Sequence, residues 1–446
     1  MKSGKGKDIP RILKPPTSGK AGELISRDVD LMARSYKRLF PMVVKRVDGS
    51  IVEDVNGNLY IDFTAGFGLL PIGGSHPEVV KAVREQLDKA SSYSLVAAYS
   101  EEAVELAEEL SRIVPIRGDV RLIFCNSVDE AVDAGIRSAK WHSGKSMVAC
   151  FFGEYHGVVG YSLMASTDVR ERRISTRILD MVYFMDHGCE DCFLELTPDK
   201  CNVKCLEIFR SFIDSIAPGD LAAIIFNPVR MSRFLSFPSE SYVNRLLSLS
   251  KDLGSLLLVN ESITAPARTG RWFILDHWNA KADIICLGAQ LSAGIPLGVL
   301  VAREDLMDLE PGMHESLTGG CQLSIASALA TLRVIREEGL VERSERLGRR
   351  ILGRLKDLIA DMDVSWRVGG LGMLVGIGIV GETEAKSKLL AQKIVDELFR
   401  VGVLVRRIGS LLLLTPPLNI EEEILERGLS ILEEKLREFI QLSQVS

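Results

Sequence analysis

Four cysteines stand close enough in the chain to share a metal ion. Cys189, Cys192, Cys201 and Cys205 fall within GCEDCFLELTPDKCNVKC, a CxxC pair and a CxxxC pair separated by eight residues. Four thiolates in such an arrangement can surround one Zn²⁺ tetrahedrally. The gap between the pairs is shorter than in the usual zinc spacings, so an insertion carrying four reduced thiols is the competing reading. The other cysteines, Cys125, Cys150, Cys286 and Cys321, lie singly among apolar or glycine neighbours, as small buried thiols do. Ser127, Val128 and Asp129 in FCNSVDEAV open a helical stretch, where free backbone N–H groups bind anions but an aspartate repels them.

These groups need elements to hold them, and the hydrophobic spacing supplies those elements. An amphipathic pattern over about Ala21 to Arg34 precedes VDGSIVEDVNGNLYIDF, two short alternating runs with turn chemistry at Asp48-Gly49 and Asn56-Gly57. From His76 the pattern alternates helix with strand. Apolar strands are expected at Val120 to Cys125, Met147 to Phe152, Leu221 to Phe226, Ser255 to Val259, Ile284 to Leu287 and Val299 to Ala302. Strands that are apolar throughout and separated by helices predict a mostly parallel sheet covered on both faces. After about Ser324 two long helices, a glycine-rich strand region and the run LLLLTPPLNIEEEILERGLSILEEKLREFI return the chain to α+β. The expected layout is a large α/β domain over 76–334 and a smaller α+β domain built from 1–75 and 335–446.

Composition narrows the function classes. The 446 residues are 46% hydrophobic and 26% charged, with 38 glycines, which is the balance of a globular chain and excludes disorder as its main state. The net charge of -6 and the lack of long Lys/Arg blocks argue against nucleic acid as a partner. No apolar run approaches the ~20 residues needed to span a bilayer, and MKSGKGKDIPRILKPP lacks the apolar stretch of a secretion signal. No membrane association and a cytoplasmic location are therefore expected.

Five segments in order, DVNGNLYIDFTAGFGLLPIGGSHPEVVKAV, FCNSVDEAVDAGIRSAKW, FFGEYHG, LLLVNESITAPARTGRWF and DIICLGAQLSAGIPLGVLVAREDL, resemble the class III aminotransferases, a pyridoxal-phosphate (PLP) family of fold type I. The resemblance runs from about residue 10 to 440 and is closest to archaeal 4-aminobutyrate-type transaminases and related amino-acid racemases. It implies a doubly wound seven-stranded large domain, a composite small domain and a homodimer.

The resemblance also locates departures. Where the family carries the lysine that forms the Schiff base, LGAQLSAG has Ala289, and Lys281 lies eight positions upstream. The aspartate that pairs with the ring nitrogen is Asn260, and the glutamine that contacts the ring oxygen is Ile263. The Ser-Gly-Thr phosphate turn reads Ser127, Val128, Asp129; the partner subunit's phosphate-reaching threonine is matched by Leu317, with Thr318 one position late. Asn227 and Leu413 stand where a glutamate and a carboxylate-binding arginine are common. Tyr155 and His156 keep the ring-stacking platform.

These departures predict a chain that retains the fold and has lost Schiff-base catalysis, with no cofactor bound. It would act as a homodimer, as a mixed dimer with an active paralogue, or through a small-molecule ligand in the old cleft. The alternative is an aminotransferase or racemase that binds PLP non-covalently.

Overall fold

The computed structural model describes residues 9–167, 180–184, 203–362 and 364–445. Cys189, Cys192 and Cys201 lie outside the described residues; Cys205 is half-buried on a helix. The chain divides into two compact units: unit 1 is Met1–Pro77, Ser232–Leu235 and Glu338–Ser446, and unit 2 is Glu78–Met231 and Ser236–Glu337.

From the N-terminus, α1 (Lys20–Leu31) leads to β1 (Val44–Asp48), β2 (Ile51–Asp54) and β3 (Leu59–Asp62). Helices α2 (Pro77–Lys89) and α3 (Glu101–Ile113) precede β4 (Val120–Cys125), α4 (Val128–Ser143), β5 (Met147–Phe151), α5 (Gly160–Ala165) and β6 (Met181–Phe184). Then come α6 (Lys204–Ile216), β7 (Leu221–Phe226), β8 (Arg230–Met231), β9 (Leu235–Ser236), α7 (Glu240–Asp252), β10 (Leu256–Asn260), β11 (Ile284–Leu287) and β12 (Gly298–Arg303). The chain ends with α8 (Gln322–Glu337), α9 (Leu340–Asp361), β13 (Arg367–Leu371), β14 (Leu374–Gly378) and α10 (Glu384–Arg400), followed by β15 (Val403–Leu404), β16 (Arg406–Ile408), β17 (Leu411–Leu414) and α11 (Glu422–Val445). Helix α1 stops three residues before the expected Arg34, because Met32 turns to an extended conformation at ψ 150°.

Unit 2 is built on a sheet that has seven strands among the described residues, in the order β4-β12-β11-β10-β7-β5-β6. All are parallel except β12, which runs antiparallel to both neighbours. Every residue of β7 (LAAIIF) is buried, as a strand covered on both faces requires. Helix α4 lies on the sheet through a face of small residues, including Ala131, Ala134, Gly135 and Ala139. A Cβ on Gly135 would sit 2.8 Å from Leu258 Cδ1, so glycine sets how closely α4 approaches β10.

Unit 1 takes strands from both ends of the chain. β15 joins β3 in parallel, Val403 opposite Ile61 and Leu404 opposite Asp62, extending the β1-β2-β3 meander. A second, antiparallel sheet runs β13-β14-β17-β16. Ser232–Leu235 belongs with this unit rather than with the continuous large domain expected over 76–334. Glycines make room for it: a Cβ on Gly369 would fall 2.3 Å from Leu235 O, and one on Gly376 would fall 2.6 Å from Leu235 Cβ. Arg367 also stacks over the Phe234 ring at 4.7 Å.

One turn of unit 1 is strained. Ala65, Gly66, Phe67 and Gly68 have successive φ values of 46°, 57°, 75° and 90°. A left-handed backbone costs about 1–2 kcal/mol at a non-glycine residue, and two of these four are not glycine. The buried Asp62 carboxylate over-determines the turn, accepting from Thr64 N (2.7 Å), Thr64 Oγ1 (2.6 Å) and Gly66 N (3.0 Å).

Candidate functional site

The residues singled out in unit 2 converge because they leave the carboxyl ends of parallel strands. Ser127 follows β4, Tyr155 and His156 follow β5, Asn227 follows β7, Asn260 ends β10, and Ala289 follows β11. Ligands of open α/β sheets bind along this edge.

A buried polar chain crosses it. The Glu154 carboxylate accepts from His156 Nε2 at 3.0 Å through one oxygen and from Asn227 N at 3.1 Å through the other. With its Nε2 proton facing Glu154, the imidazole presents Nδ1 as an acceptor to Asn260 Nδ2 at 3.4 Å. Asn260 Oδ1 in turn accepts from Ser262 N at 3.1 Å. Both ends of the Asn260 amide are thus engaged in neutral hydrogen bonds. Tyr155 and His156 do not form a common platform. The backbone turn buries His156 completely and leaves Tyr155 46% exposed.

The start of α4 is capped from within. Ser127 Oγ accepts from Glu130 N at 3.2 Å, and the Glu130 carboxylate accepts from Asn126 N at 2.8 Å. Asp129 accepts from Val158 N at 2.9 Å, and burial pushes its carboxyl above the ordinary aspartate range. Val128 projects toward the β11 end: a Cβ on Gly288 would meet Val128 Cβ at 3.4 Å and Ser262 Cβ at 3.5 Å. Ile263 is half-buried beside them in sequence, and Ala289 contributes a methyl group at a turn closed by Gly294 N donating to Ala289 O at 2.8 Å. Lys281 is exposed at the opposite end of β11. Leu317 is 71% exposed and Thr318 is also at the surface, so neither reaches into this group within the chain.

One cluster escaped the sequence reading. Cys125, Glu130 and His314 place one ligand atom each within 4.8 Å of one another, with Cys125 Sγ 3.8 Å from His314 Nε2. Cys125 and His314 lie far apart in sequence, and no spacing rule links them. Arg137 donates to His314 Nδ1, which leaves the ring proton on Nε2, facing the thiol. A ring held in that tautomer cannot ligate through Nε2, so the cluster fastens the 313–318 loop to the start of α4. Asn126 Nδ2 adds a second tie by donating to Ser316 Oγ at 2.9 Å.

Glu261 gives the unit a pH dependence. Its buried carboxyl accepts from Thr264 Oγ1, from Ile274 N at 3.0 Å and from Leu275 N at 3.4 Å, yet burial pushes it up to about 7. The folded chain therefore holds this proton more tightly than the unfolded one. The stabilisation is fully present below the ordinary glutamate value and is lost as pH rises toward 7, a fall of up to about 3 kcal/mol. Urea unfolding at a series of pH values should show this slope in the native chain and a flattened one in Glu261→Gln.

The fold is that of the PLP-dependent transaminases. It matches a transaminase from the marine bacterium Virgibacillus with a TM-score of 0.86 at 21% identity over 95% of this chain and 100% of that one. A transaminase solved with L-alanine matches at 0.83 and 25% identity over 90% of this chain and 100% of that one. The Aminotransferase class-III family description matches residues 31–436, and the chain belongs to that family. Among its relatives are an alanine/serine racemase of Pyrococcus horikoshii, 30% identical over 97% of this chain and 93% of that protein. A 5-aminovalerate aminotransferase of Pseudomonas aeruginosa is 30% identical over 92% of this chain and 97% of that protein. Among the described residues, no helix is long and apolar enough to cross a membrane.

Proposed function

We propose that this chain is a class III family member that no longer performs Schiff-base chemistry and serves as a binding or assembly partner. The observation that carries the reading is the β11 end, where Ala289 offers no amine and Val128 occupies the space facing Gly288. PLP does not fit the remaining groups. A Schiff base needs a lysine nucleophile, and an electron-withdrawing ring needs a carboxylate at its nitrogen, where Asn260 is neutral and already engaged. A phosphate dianion at the α4 start would meet the first-turn carboxylates Asp129 and Glu130, and the Glu130 N–H is already taken by Ser127 Oγ.

Assembly is the remaining asset. Leu69 of unit 1 and Tyr93, Val96, Tyr99 and Leu317 of unit 2 are large apolar side chains left exposed by the single chain. They favour a homodimer or a mixed dimer with a lysine-bearing paralogue, which would cover them.

A second reading rests on the buried Glu154–His156–Asn260 chain, which keeps a polar face at the strand ends for a non-covalently bound ring. In that reading the chain is a racemase or aminotransferase of altered chemistry. One experiment separates the two. The purified protein is incubated with excess PLP and divided: one half is dialysed and its visible absorbance read, the other is treated with borohydride and examined by peptide mass, and light scattering gives the particle size. The first reading expects a two-chain particle with no pyridoxyl group in the peptide containing Ala289 and no visible absorbance surviving dialysis. Retained absorbance without a label would establish the second reading; a label at Lys281 would overturn both.

A further inference from the structure

Unit 1 carries a groove that none of the chemistry above uses. It lies where α9 ends and β13 begins, and it encloses about 270 Å³. Lys356, Ile359 and Ala360 of α9 form one wall, and Val364, Trp366 and Val368 form the other.

The register of helix against strand sets the layout of this groove. A Cβ on Gly348 would fall 1.9 Å from Gly372 O, so α9 and the end of β13 are level at that point. From there Lys356 lies ~12 Å along the helix and Val368 ~13 Å back along the strand, which brings the two level again. Ala360 and Trp366 follow ~6 Å further on, one step along each wall, and Val364 lies beyond them past the helix end. The groove is therefore elongated, with a lysine at one end.

Away from that lysine the lining is apolar. Ile359 and Trp366 are buried, Val364 and Val368 are half-buried, and the Trp366 Nε1 donates to Val380 O at 3.0 Å, leaving only ring carbons to face a ligand. Lys356 has no acidic helical neighbour: the residues one turn away are Leu352, Gly353, Ile359 and Ala360. Among the described residues no carboxylate, hydroxyl or carbonyl engages its Nζ. Lys386, Lys388 and Lys435 of the same unit pair with Glu382, Glu384 and Glu438.

We propose that this groove binds a free medium-chain acyl carboxylate, with the chain laid along Val368, Trp366 and Val364 and the carboxylate on Lys356. Two level pairs ~6 Å apart, with Val364 beyond, suit a chain of about eight carbons and leave one of about four poorly covered. A dianionic headgroup would find no second cation in the lining. The inference concerns unit 1 alone and stands whether or not the chain is catalytic.

The chain has four tryptophans, so the full protein labelled with 5-fluorotryptophan gives one ¹⁹F signal per indole, and Trp366→Phe assigns the signal of Trp366. Octanoate should shift that signal saturably and leave the other three in place. Butyrate, with four fewer methylenes to bury, should bind at least about tenfold more weakly. Lys356 is exposed, so Lys356→Gln keeps the fold; it should weaken octanoate about fivefold and leave the affinity for uncharged octanamide unchanged. Lys386→Gln, on α10, should change neither. An unmoved Trp366 signal, an equal shift of all four indoles, or a Lys356→Gln loss shared by octanamide would overturn the proposal. So would phosphatidylserine vesicles that shift Trp366 as octanoate does, since the groove would then read a lipid surface and not a free acid.

Discussion

Lysine restored at position 289 does not restore transamination. In Ala289→Lys, assayed with PLP, an amino donor and a 2-oxo acid, we expect turnover at least about a thousandfold below that of lysine-bearing relatives. The reason is that the missing amine is one of several defects in a unit that acts jointly. Asn260 supplies no charge where a carboxylate would favour a protonated ring nitrogen by ~1–3 pKa units. It cannot be recruited cheaply, because His156 and Ser262 hold both ends of its amide. The first turn of α4 carries the negative charges of Asp129 and Glu130 where a phosphate would sit, and Val128 packs against the β11 end, its Cβ 3.4 Å from where a Cβ on Gly288 would lie. Losses of this kind are strongly non-additive, so repairing one member returns little. Turnover within tenfold of a relative would show that Ala289 alone silences the site, and the partner reading would fall with it.

Gly298→Ala is expected to be the most damaging single methyl group in unit 2. The Cβ would lie 1.9 Å from Ser127 O and 2.3 Å from Ser127 C. Both are backbone atoms, so no rotamer change relieves the clash, and either β12 or the α4 start must move. Overpacking against fixed backbone costs about 3 kcal/mol or more. Gly353→Ala is the matched control: it sits in α9 with nothing within 4 Å of the added Cβ, and it should stabilise by up to about 1 kcal/mol. Urea unfolding midpoints of the two variants against the parent chain measure the contrast. A Gly298→Ala protein as stable as the parent would mean that the close approach of β12 to Ser127 is not fixed.

The architecture was legible because its signals are periodic. Runs such as LAAIIF and IICL are apolar throughout, and they are the buried parallel strands β7 and β11. Turn pairs at Asp48-Gly49 and Asn56-Gly57 punctuate β1, β2 and β3, which pair antiparallel. The antiparallel β12 was not separable by pattern, because a strand buried on both faces reads alike in either direction. At the site, residue types such as Ala289 and Asn260 could be read directly, but their partners could not. His156 turning inward to Glu154, and His314 reaching Cys125, depend on loops brought together by the sheet. The Phe67–Arg406 stack depends on a run of positive φ that the motif TAGFG only partly advertises, since Ala65 and Phe67 are not residues that favour it.

The parallel pairing of β3 with β15 has a consequence for how the chain is made. Ile61 leaves the ribosome 342 residues (403 minus 61) ahead of its partner Val403. Unit 2 has nearly all of its sequence in one stretch between those two points, so its sheet can close while translation continues. The β1–β3 meander has to wait, with one strand edge open and its loop-closure entropy unmet, until Val403 and Leu404 appear. During that interval the β3 edge that β15 will cover is open to pairing with a foreign strand.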